Sequence, residues 1–440
     1  MKNKKKFKQT EIGLIPEDWE VVPASEYCLK VTDGTHDTPK KVNSKHFLIT
    51  SRHLGDSQIK FNEAYTISDE EFFEVNKRSK VDQWDVIFSM IGTVGLVYLE
   101  KSNKIDYAIK NVGLFKSKKA IDGRWLFYYL KSPIATAHIN ASKAGTTQAY
   151  LTLDTLRKFP IILTKDTERE KIVGILESID SKIELNQQIN KTLEAIGQAI
   201  FKHWFIDFEF PNEKGKPYKS SGGEMVDSEL GKIPKGWTVS TLREFIMVER
   251  GLSYKGSGLT EDGLPMINLA NFAPNHGFIN SATKPYSGEY KERNLVKAGD
   301  IVIANTDITQ KRDVLGSPAI VPNLESEKIL FTHHVYAVRN KSWIPNYFIY
   351  YLLQLKQYED RTRGFATGTT VLFLPDDAIL DFQFVLSNKE LVEKFVSTIK
   401  MFQDRLNLNT SEHITLTILR DSLLSRLMSG KIRVPVEVRA

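Results

Sequence analysis

The sequence predicts an α+β fold in which two similar α/β domains are separated by a long antiparallel two-helix coiled coil. Segments of the first half recur in order in the second half. Each half opens with short β-rich runs and closes with a long proline-free segment that has a heptad pattern. These observations predict a first domain at residues 1–166, a first helix at 167–210, a second domain at 211–387, and a second helix with a C-terminal tail at 388–440.

The internal repeat rests on matched segments. EIGLIPEDW at residues 11–19 recurs as ELGKIPKGW at residues 229–237. Further pairs follow in the same order: residues 85–88 with 300–303, 128–130 with 350–352, and 145–147 with 368–370. The β-rich runs (86–88, 96–99, 301–303 and 335–338) and the helical stretches (125–130 and 347–355) predict a mixed domain in each half.

The two long helices are predicted from residues 167–205 and 388–429, which contain no proline. Their a and d positions are mostly apolar for about five heptads, as in a coiled coil. The alternative is two ordinary amphipathic helices that pack elsewhere. In the first helix these positions are Ile172, Leu176, Ile179, Ile183, Asn186, Asn190, Leu193, Gly197, Ile200 and Trp204; in the second they are Phe395, Ile399, Phe402, Leu406, Asn409, His413, Leu416, Arg420, Leu423 and Leu427.

The polar residues of this pattern predict its register. A buried Asn favours the pairing that supplies a polar partner, whereas a slide of one heptad would set Asn186 against an aliphatic residue. An antiparallel pair also lets the second domain begin where the first helix ends. The predicted pairs are Asn186 with His413, Asn190 with Asn409, Trp204 with Phe395, Gly197 with Phe402, and, less well matched, Ile179 with Arg420.

Composition narrows the class of protein. With 440 residues, 41% of them hydrophobic and 26% charged, the chain can bury two or three cores. The net charge of +6 permits a polyanionic partner without requiring one. A single cysteine excludes an intrachain disulfide, so we expect a cytoplasmic protein. The longest uncharged apolar stretch, residues 86–99, is too short to span a membrane and predicts a hairpin around Gly92 and Gly95.

Several motifs together resemble one protein family. They are GLIPEDW at 13–19, GKIPKGW at 231–237, TDGTHDTP at 32–39, AIFKHWFIDF at 199–208 and LLSRLMSGKIRV at 423–434. In this order and spacing the chain resembles the specificity subunit of type I restriction–modification systems over nearly its whole length. The last motif departs slightly, since such proteins often have Pro-Lys where Ser425-Arg426 stands and an acidic residue at Lys431.

The resemblance implies a function for each part. Each domain would be a target-recognition domain, and together they would read a bipartite, asymmetric sequence in double-stranded DNA. The helices would be conserved spacers that dock two modification subunits, which methylate adenine with S-adenosylmethionine. Two restriction subunits using ATP and Mg would join them, and this chain itself would bind no cofactor.

Candidate DNA-contacting residues are chosen because side chains read base edges, while Lys, Arg, Ser and Thr side chains hold phosphates, and a glycine followed by hydroxyls allows close backbone approach. In the first domain they are Gly34, Thr35, His36, Arg52, Lys143, Thr146, Thr147 and Gln148; in the second they are Arg250, Ser253, Tyr254, Lys255, Asn268, Asn271, Arg361, Arg363, Thr369 and Thr370. The structural alternatives are a turn before Tyr150, a turn histidine at His36, and a solvated helix face for Arg361 and Arg363. His333 and His334 are predicted to end a strand rather than to bind a metal.

No catalytic motif is recognised. The sequence has no phosphate-binding Gly-x-x-x-x-Gly-Lys-Ser/Thr loop, no His-Glu-x-x-His zinc motif, and no Asn-Pro-Pro-aromatic segment. We therefore predict a non-catalytic DNA-reading subunit without a metal. The alternatives are a coiled-coil scaffold without DNA specificity and a DNA enzyme with an unrecognised site.

Overall fold

A computed structural model describes residues 6–55, 57–145, 149–273, 277–309, 312–324 and 326–434. The chain divides into two compact units, residues 1–182 with 416–440 and residues 183–415. The two long helices contribute residues to both units, and the mixed α+β fold predicted from the repeat is confirmed.

The first unit consists of short strands, short helices and parts of the long helices. Its strands are β1 (Phe7–Thr10), β2 (Gly13–Pro16), β3 (Glu20–Pro23), β4 (Lys30–Asp33), β5 (His46–Ile49), β6 (Thr66–Ile67), β7 (Val86–Ser89), β8 (Val97–Leu99), β9 (Tyr107–Ile109), β10 (Val112–Lys116) and β11 (Pro160–Leu163). Its helices are α1 (Ala24–Tyr27), α2 (Asp69–Ser79), α3 (Ala120–Lys131), α4 (Pro133–Ser142), α5 (Leu153–Arg157) and the start of α6 (Asp166–Phe205).

The sequence explains several of these boundaries. The four residues of β7 are all buried, as expected of an apolar strand in the middle of a sheet. The Ser68 side chain accepts a hydrogen bond from the backbone N–H of Glu71 and so caps α2. Helix α3 ends at Ser132, which caps α4 in turn, and Pro133 occupies the first turn of α4, where no backbone donor is lost.

The second unit repeats this composition. Its strands are β12 (Met225–Ser228), β13 (Gly231–Pro234), β14 (Thr238–Thr241), β15 (Ile246–Arg250), β16 (Leu259–Ile267), β17 (Lys284–Tyr286), β18 (Leu295–Val296), β19 (Ile301–Ala304), β20 (Thr306–Asp307), β21 (Pro318–Ile320), β22 (Ile329–Phe331), β23 (Val335–Asn340), β24 (Leu372–Phe373) and β25 (Gln383–Leu386). Its helices are α7 (Asn346–Leu352), α8 (Lys356–Gly364), α9 (Asp376–Leu380) and most of α10 (Lys389–Met428).

The four-stranded antiparallel sheets of the two units have corresponding strand orders. The first unit has a four-stranded antiparallel sheet of order β4-β10-β7-β8, and the second has β15-β23-β19-β21. In addition, β5 pairs in parallel with β9 in the first unit, and β16 pairs in parallel with β22 in the second. The strand pairs β1-β2 and β3-β11 correspond to β12-β13 and β14-β25. The internal repeat predicted from short sequence matches is therefore a repeat of architecture.

Helices α6 and α10 each contain 40 residues. Asn388 caps α10, because its side chain accepts a hydrogen bond from the backbone N–H of Leu391 at 2.9 Å. In the first unit the helices bury Leu176 and Leu427 in one core with Trp125. In the second unit they bury Phe201 and Phe395 in another core. Each helix therefore helps to close the hydrophobic core of both units.

Within the second unit the helices run antiparallel. The Asn409 side chain donates to Asn190 Oδ1 at 2.8 Å, the pair named by the predicted register. The rings of Trp204 and Phe395, another predicted pair, lie 6.1 Å apart. The buried Asn186 donates to Glu412 Oε2 at 2.8 Å, one residue before the predicted partner His413.

Two predicted contacts of the helices need correction. Arg420 does not rely on its stem alone beside Ile179, because its guanidinium contacts Asp180 Oδ1 at 3.2 Å in the first unit. In the second unit the space beside Gly197 is taken by Tyr351, whose hydroxyl would lie 2.1 Å from a Cβ at position 197. Heptad positions alone could not predict either contact. Asp180 lies outside the a and d positions, and Tyr351 comes from α7, outside the two helices.

Candidate nucleic-acid interface

In the first unit several loops meet at one end of the four-stranded sheet. Because β10 runs antiparallel to β4 and β7, the segments after β4 and β7 lie beside the turn that precedes β10. The 3₁₀ turn Ser51–His53, which follows β5, joins them. Together they surround a cavity of about 640 Å³ whose lining includes Thr38, Arg52, Glu63, Tyr65, Lys110 and Asn111.

Side-chain hydrogen bonds hold these loops together. His36 lies between Asn111 and Asp33, with its Nδ1 3.0 Å from the amide oxygen and its Nε2 3.0 Å from the carboxylate. Ser51 Oγ donates to the Asn111 carbonyl at 3.2 Å. Gly34 is required for this close packing, because a Cβ there would lie 2.4 Å from the carbonyl oxygen of Ile109. The exposed His36 and the half-buried Thr35 therefore lie on a loop that these contacts hold in place.

The turn that carries Arg52 is closed by a neutral histidine. The backbone N–H of Thr50 donates to His53 Nδ1 at 3.0 Å, so this nitrogen must be unprotonated. Burial, and next the neighbouring Arg52, lowers the pKa of His53. His53 is buried while Arg52 is exposed, so the cap orders the turn and leaves the guanidinium at the cavity.

The residues that flank the Gly-Thr-Thr segment of the first unit lie beside the segment after β7. Ala144 and Tyr150 pair across the Gly-Thr-Thr segment, and Tyr150 also pairs with Ile91 from the segment after β7. Lys143 is exposed at its base and donates to Asn140 Oδ1 at 2.7 Å. The other predicted residues of this loop, Thr146, Thr147 and Gln148, lie outside the described residues.

The second unit has a cavity of about 420 Å³ beside β15 and the loop that follows it. Its lining includes Glu249, Arg250, Ser253, Arg293 and His333. Arg250 donates to the His333 carbonyl at 3.0 Å, and its guanidinium lies 5.1 Å from the ring centre of Phe373. Both arginines are exposed, and Glu249 is held by Arg339 at 2.6 Å. The cavity therefore presents a basic surface that suits an anionic partner.

Other predicted residues of this loop differ in exposure. Ser253 and Lys255 are exposed, and Tyr254 is half-buried with its ring 6.0 Å from that of Tyr286. Gly251 packs as Gly34 does, since a Cβ there would lie 2.3 Å from the carbonyl oxygen of Phe331.

Asn268 and Asn271 are buried and shape the loop from inside. Asn271 Oδ1 accepts from the backbone N–H of Asn268 at 2.8 Å, and its amide nitrogen donates to Ile279 and Thr283. Asn268 in turn accepts from the backbone N–H of Ala270 at 3.0 Å. The structure thus places both amides in the frame of the turn rather than on its surface.

Arg361 and Arg363 belong to α8 and are held by protein groups. Arg361 donates to the Ala378 carbonyl at 2.8 Å, and its guanidinium lies 4.6 Å from the ring centre of Phe365. Arg363 contacts Glu359 at 2.6 Å. Thr369 and Thr370 are exposed in the loop between Thr367 and Phe373, the counterpart of the loop between Ala144 and Tyr150.

The structure adds residues that sequence reasoning missed. Lys110, Asn111, Arg293 and His333 line the two cavities. No local motif marks them, because they reach the cavities only through strand pairing. His333 and His334 lie in the turn before β23, and their rings pack 3.9 Å apart. The prediction placed them at the end of a strand, whereas the structure places them in the turn between β22 and β23, where strand alternation does not apply.

Within the described ranges, no group of three or more His, Cys, Asp or Glu side chains could hold a metal ion. In the same ranges no helix is long and apolar enough to cross a membrane.

Comparison with known proteins gives consistent matches. Residues 16–195 match the model of the type I restriction modification DNA specificity domain. The MjaIX specificity subunit of a type I restriction enzyme from Methanocaldococcus jannaschii is 25% identical, over 97% of this chain and 96% of that protein. The HindI specificity subunit from Haemophilus influenzae is 23% identical, over 81% of this chain and 88% of its own length.

A solved structure supports the fold. The crystal structure of a type I restriction-modification S subunit from M. genitalium aligns with a TM-score of 0.51 and 16% sequence identity. The alignment covers 96% of this chain and 98% of that chain. Both halves and both long helices are therefore included in the similarity.

Proposed function

We propose, from the premise that this chain belongs to the specificity-subunit family of type I restriction–modification systems, that the loops of its two units read a bipartite, asymmetric DNA sequence. A specificity subunit is the non-catalytic subunit of the type I enzyme. The loops of each unit would contact one half-site, and the bases between the half-sites would not be read.

One observation carries the proposal: corresponding loops of the two units lie on the same strand frame but carry different side chains. Lys110 and Asn111 precede β10, and Thr332 and His333 stand at the corresponding place before β23. A shared frame with different side chains suits two docking sites of the same geometry and different sequence.

The partners follow from the family. We infer that the chain acts in the cytoplasm and assembles with two modification subunits, which hold S-adenosylmethionine, and with two restriction subunits, which use ATP and Mg. The specificity subunit would direct their chemistry by choosing the DNA site.

A binding experiment tests the DNA part of the proposal. The full chain with its modification subunits is titrated onto a target duplex and a scrambled duplex at several salt concentrations. We expect tighter binding to the target, and an affinity that falls steeply with salt because phosphate contacts release counterions. Equal, weak and salt-independent binding would instead favour a coiled-coil scaffold.

A domain exchange tests the bipartite part. Replacing residues 1–165 by the first domain of another family member should change one half-site of the methylated sequence and leave the other unchanged. A change in both half-sites would contradict separate reading by the two units.

A further inference from the structure

The two units present one short turn in the same way. The first turn, Ser51–His53, follows β5, and the second, Leu269–Asn271, follows β16. In each turn the last residue accepts a hydrogen bond from the backbone N–H of the residue before the turn, at 3.0 Å for His53 and 2.8 Å for Asn271. The middle residues, Arg52 and Ala270, therefore occupy equivalent positions.

The middle residue of each turn is displayed to solvent. His53 and Asn271 point inward, with 3% and 0% exposure, whereas Arg52 and Ala270 are exposed. Because Ser51 Oγ bonds the Asn111 carbonyl, the first turn is also fixed against the edge of its cavity. Arg52 thus extends from a rigid support.

The guanidinium of Arg52 differs from the other polar groups of the cavity. Lys110 donates to Thr38, and the carboxylate of Glu63 lies 3.4 Å from Lys60. Across the part of the chain that the structure describes, Arg52 has no hydrogen-bond or ion-pair partner. None of its five N–H donors is used by a described residue, so they can serve a ligand.

We propose that Arg52 reads a guanine in the first half-site and that its counterpart Ala270 makes no such contact in the second. An arginine in the major groove donates two parallel hydrogen bonds to O6 and N7 of guanine, whereas an alanine methyl group offers only an apolar contact, such as to the methyl group of thymine. This inference rests on the proposed function and names two positions at which the specificities of the units differ.

The test uses the full chain with its modification subunits and a library of randomised duplexes. Bound duplexes are sequenced for the wild type and for Arg52→Ala, Ala270→Arg and the control Lys45→Ala, which changes an exposed cation outside the cavity lining. Arg52→Ala should lower the preference for guanine at one position of the first half-site by about 10- to 100-fold. Ala270→Arg should create a guanine preference in the second half-site, and Lys45→Ala should change neither.

The outcomes separate the two levels of the argument. If the wild type enriches no bipartite sequence, the proposed function fails. If it enriches one and Arg52→Ala leaves the first half-site unchanged, only the reading role of Arg52 fails. Arg52→Ala could instead weaken binding to all duplexes equally and reduce the salt dependence by about one phosphate contact. Arg52 would then contact the DNA backbone, and the inference would be overturned.

Discussion

At the level of single residues, the two units close equivalent turns with different side chains. The turn after β5 is closed by His53, and the turn after β16 is closed by Asn271. Both offer an unprotonated acceptor to a backbone N–H, but only the histidine can be protonated near neutral pH. The first turn therefore has a pH sensitivity that the second lacks.

This difference gives a testable pH dependence. Because the pKa of His53 is lowered from 6.5, the unfolded turn binds a proton more readily than the folded one, and stability is lost as the pH falls below 6.5. The charged neighbours are Arg52 and Lys60, which lower the pKa, and Glu63, which raises it. Hydrogen exchange of the Thr50 amide should accelerate relative to the other amides of the unit between pH 7 and pH 5.

The matched variant is His53→Asn, which copies the closure of the second turn. It should keep the cap and remove the acid-induced opening, whereas His53→Ala should open the turn at every pH. An unchanged pH dependence in His53→Asn would show that another group titrates.

The same residues show how far sequence reasoning reaches. Asn268 and Asn271 are predicted DNA contacts, yet in the structure their amide groups bond the loop itself. Arg52 is a predicted DNA contact as well, and it is exposed. Residue type cannot separate these cases, because the fate of a polar side chain depends on backbone groups that come from distant strands.

At the level of elements, the long helices were predictable because one pattern persists for many residues. Their polar pair, Asn190 with Asn409, could be paired from the sequence because a buried amide needs a polar partner. The contact between Arg420 and Asp180 could not be predicted, since Asp180 lies outside the a and d positions.

The polar pair predicts non-additive stability. Asn190→Leu should lower the free energy of unfolding by about 1–3 kcal/mol, because it leaves the buried Asn409 amide without its acceptor. Adding Asn409→Leu should recover most of that loss, since two leucines can pack together. Urea unfolding followed by tryptophan fluorescence measures both variants. A double variant less stable than either single one would contradict this account.

A second element-level feature is an exposed apolar position repeated on both helices. Leu185 on α6 is 48% exposed, and Leu408, at the equivalent repeat position on α10, is 63% exposed. Ile196 and Leu419 form a second such pair, with 38% and 45% exposure. Repeated apolar surface on related helices suits two copies of one partner, which here would be the modification subunit.

We expect Leu408→Asp to remove one modification subunit from the assembly, and the double variant with Leu185→Asp to remove both. Light scattering on the purified complex would report the mass at each step. Gln187→Glu, an exposed change two residues from Leu185 and therefore on another face of the helix, serves as the control and should leave the mass unchanged. Two subunits retained by the double variant would place the docking surface elsewhere.

At the scale of the whole molecule, the proposal makes α6 and α10 the spacer that sets the distance between half-sites. Each helix has 40 residues, which corresponds to a length of about 60 Å. The length of such a spacer can be changed by whole heptads, because the same faces of the two helices still meet. The number of unread base pairs should therefore follow the number of heptads.

Insertion of one heptad in each helix tests this relation. Seven residues placed after Lys182 and seven after Leu416 face each other in the predicted register and lengthen the pair by about 10.5 Å. At 3.4 Å per base pair, the gap in the methylated sequence should grow by about three base pairs while both half-sites stay the same. A heptad in only one helix should abolish methylation, because the helix contacts on the two sides of the insertion, Arg420 with Asp180 and Asn190 with Asn409, could no longer form in one register. Methylation mapping that shows an unchanged gap with paired insertions would mean that the helices do not set the spacing.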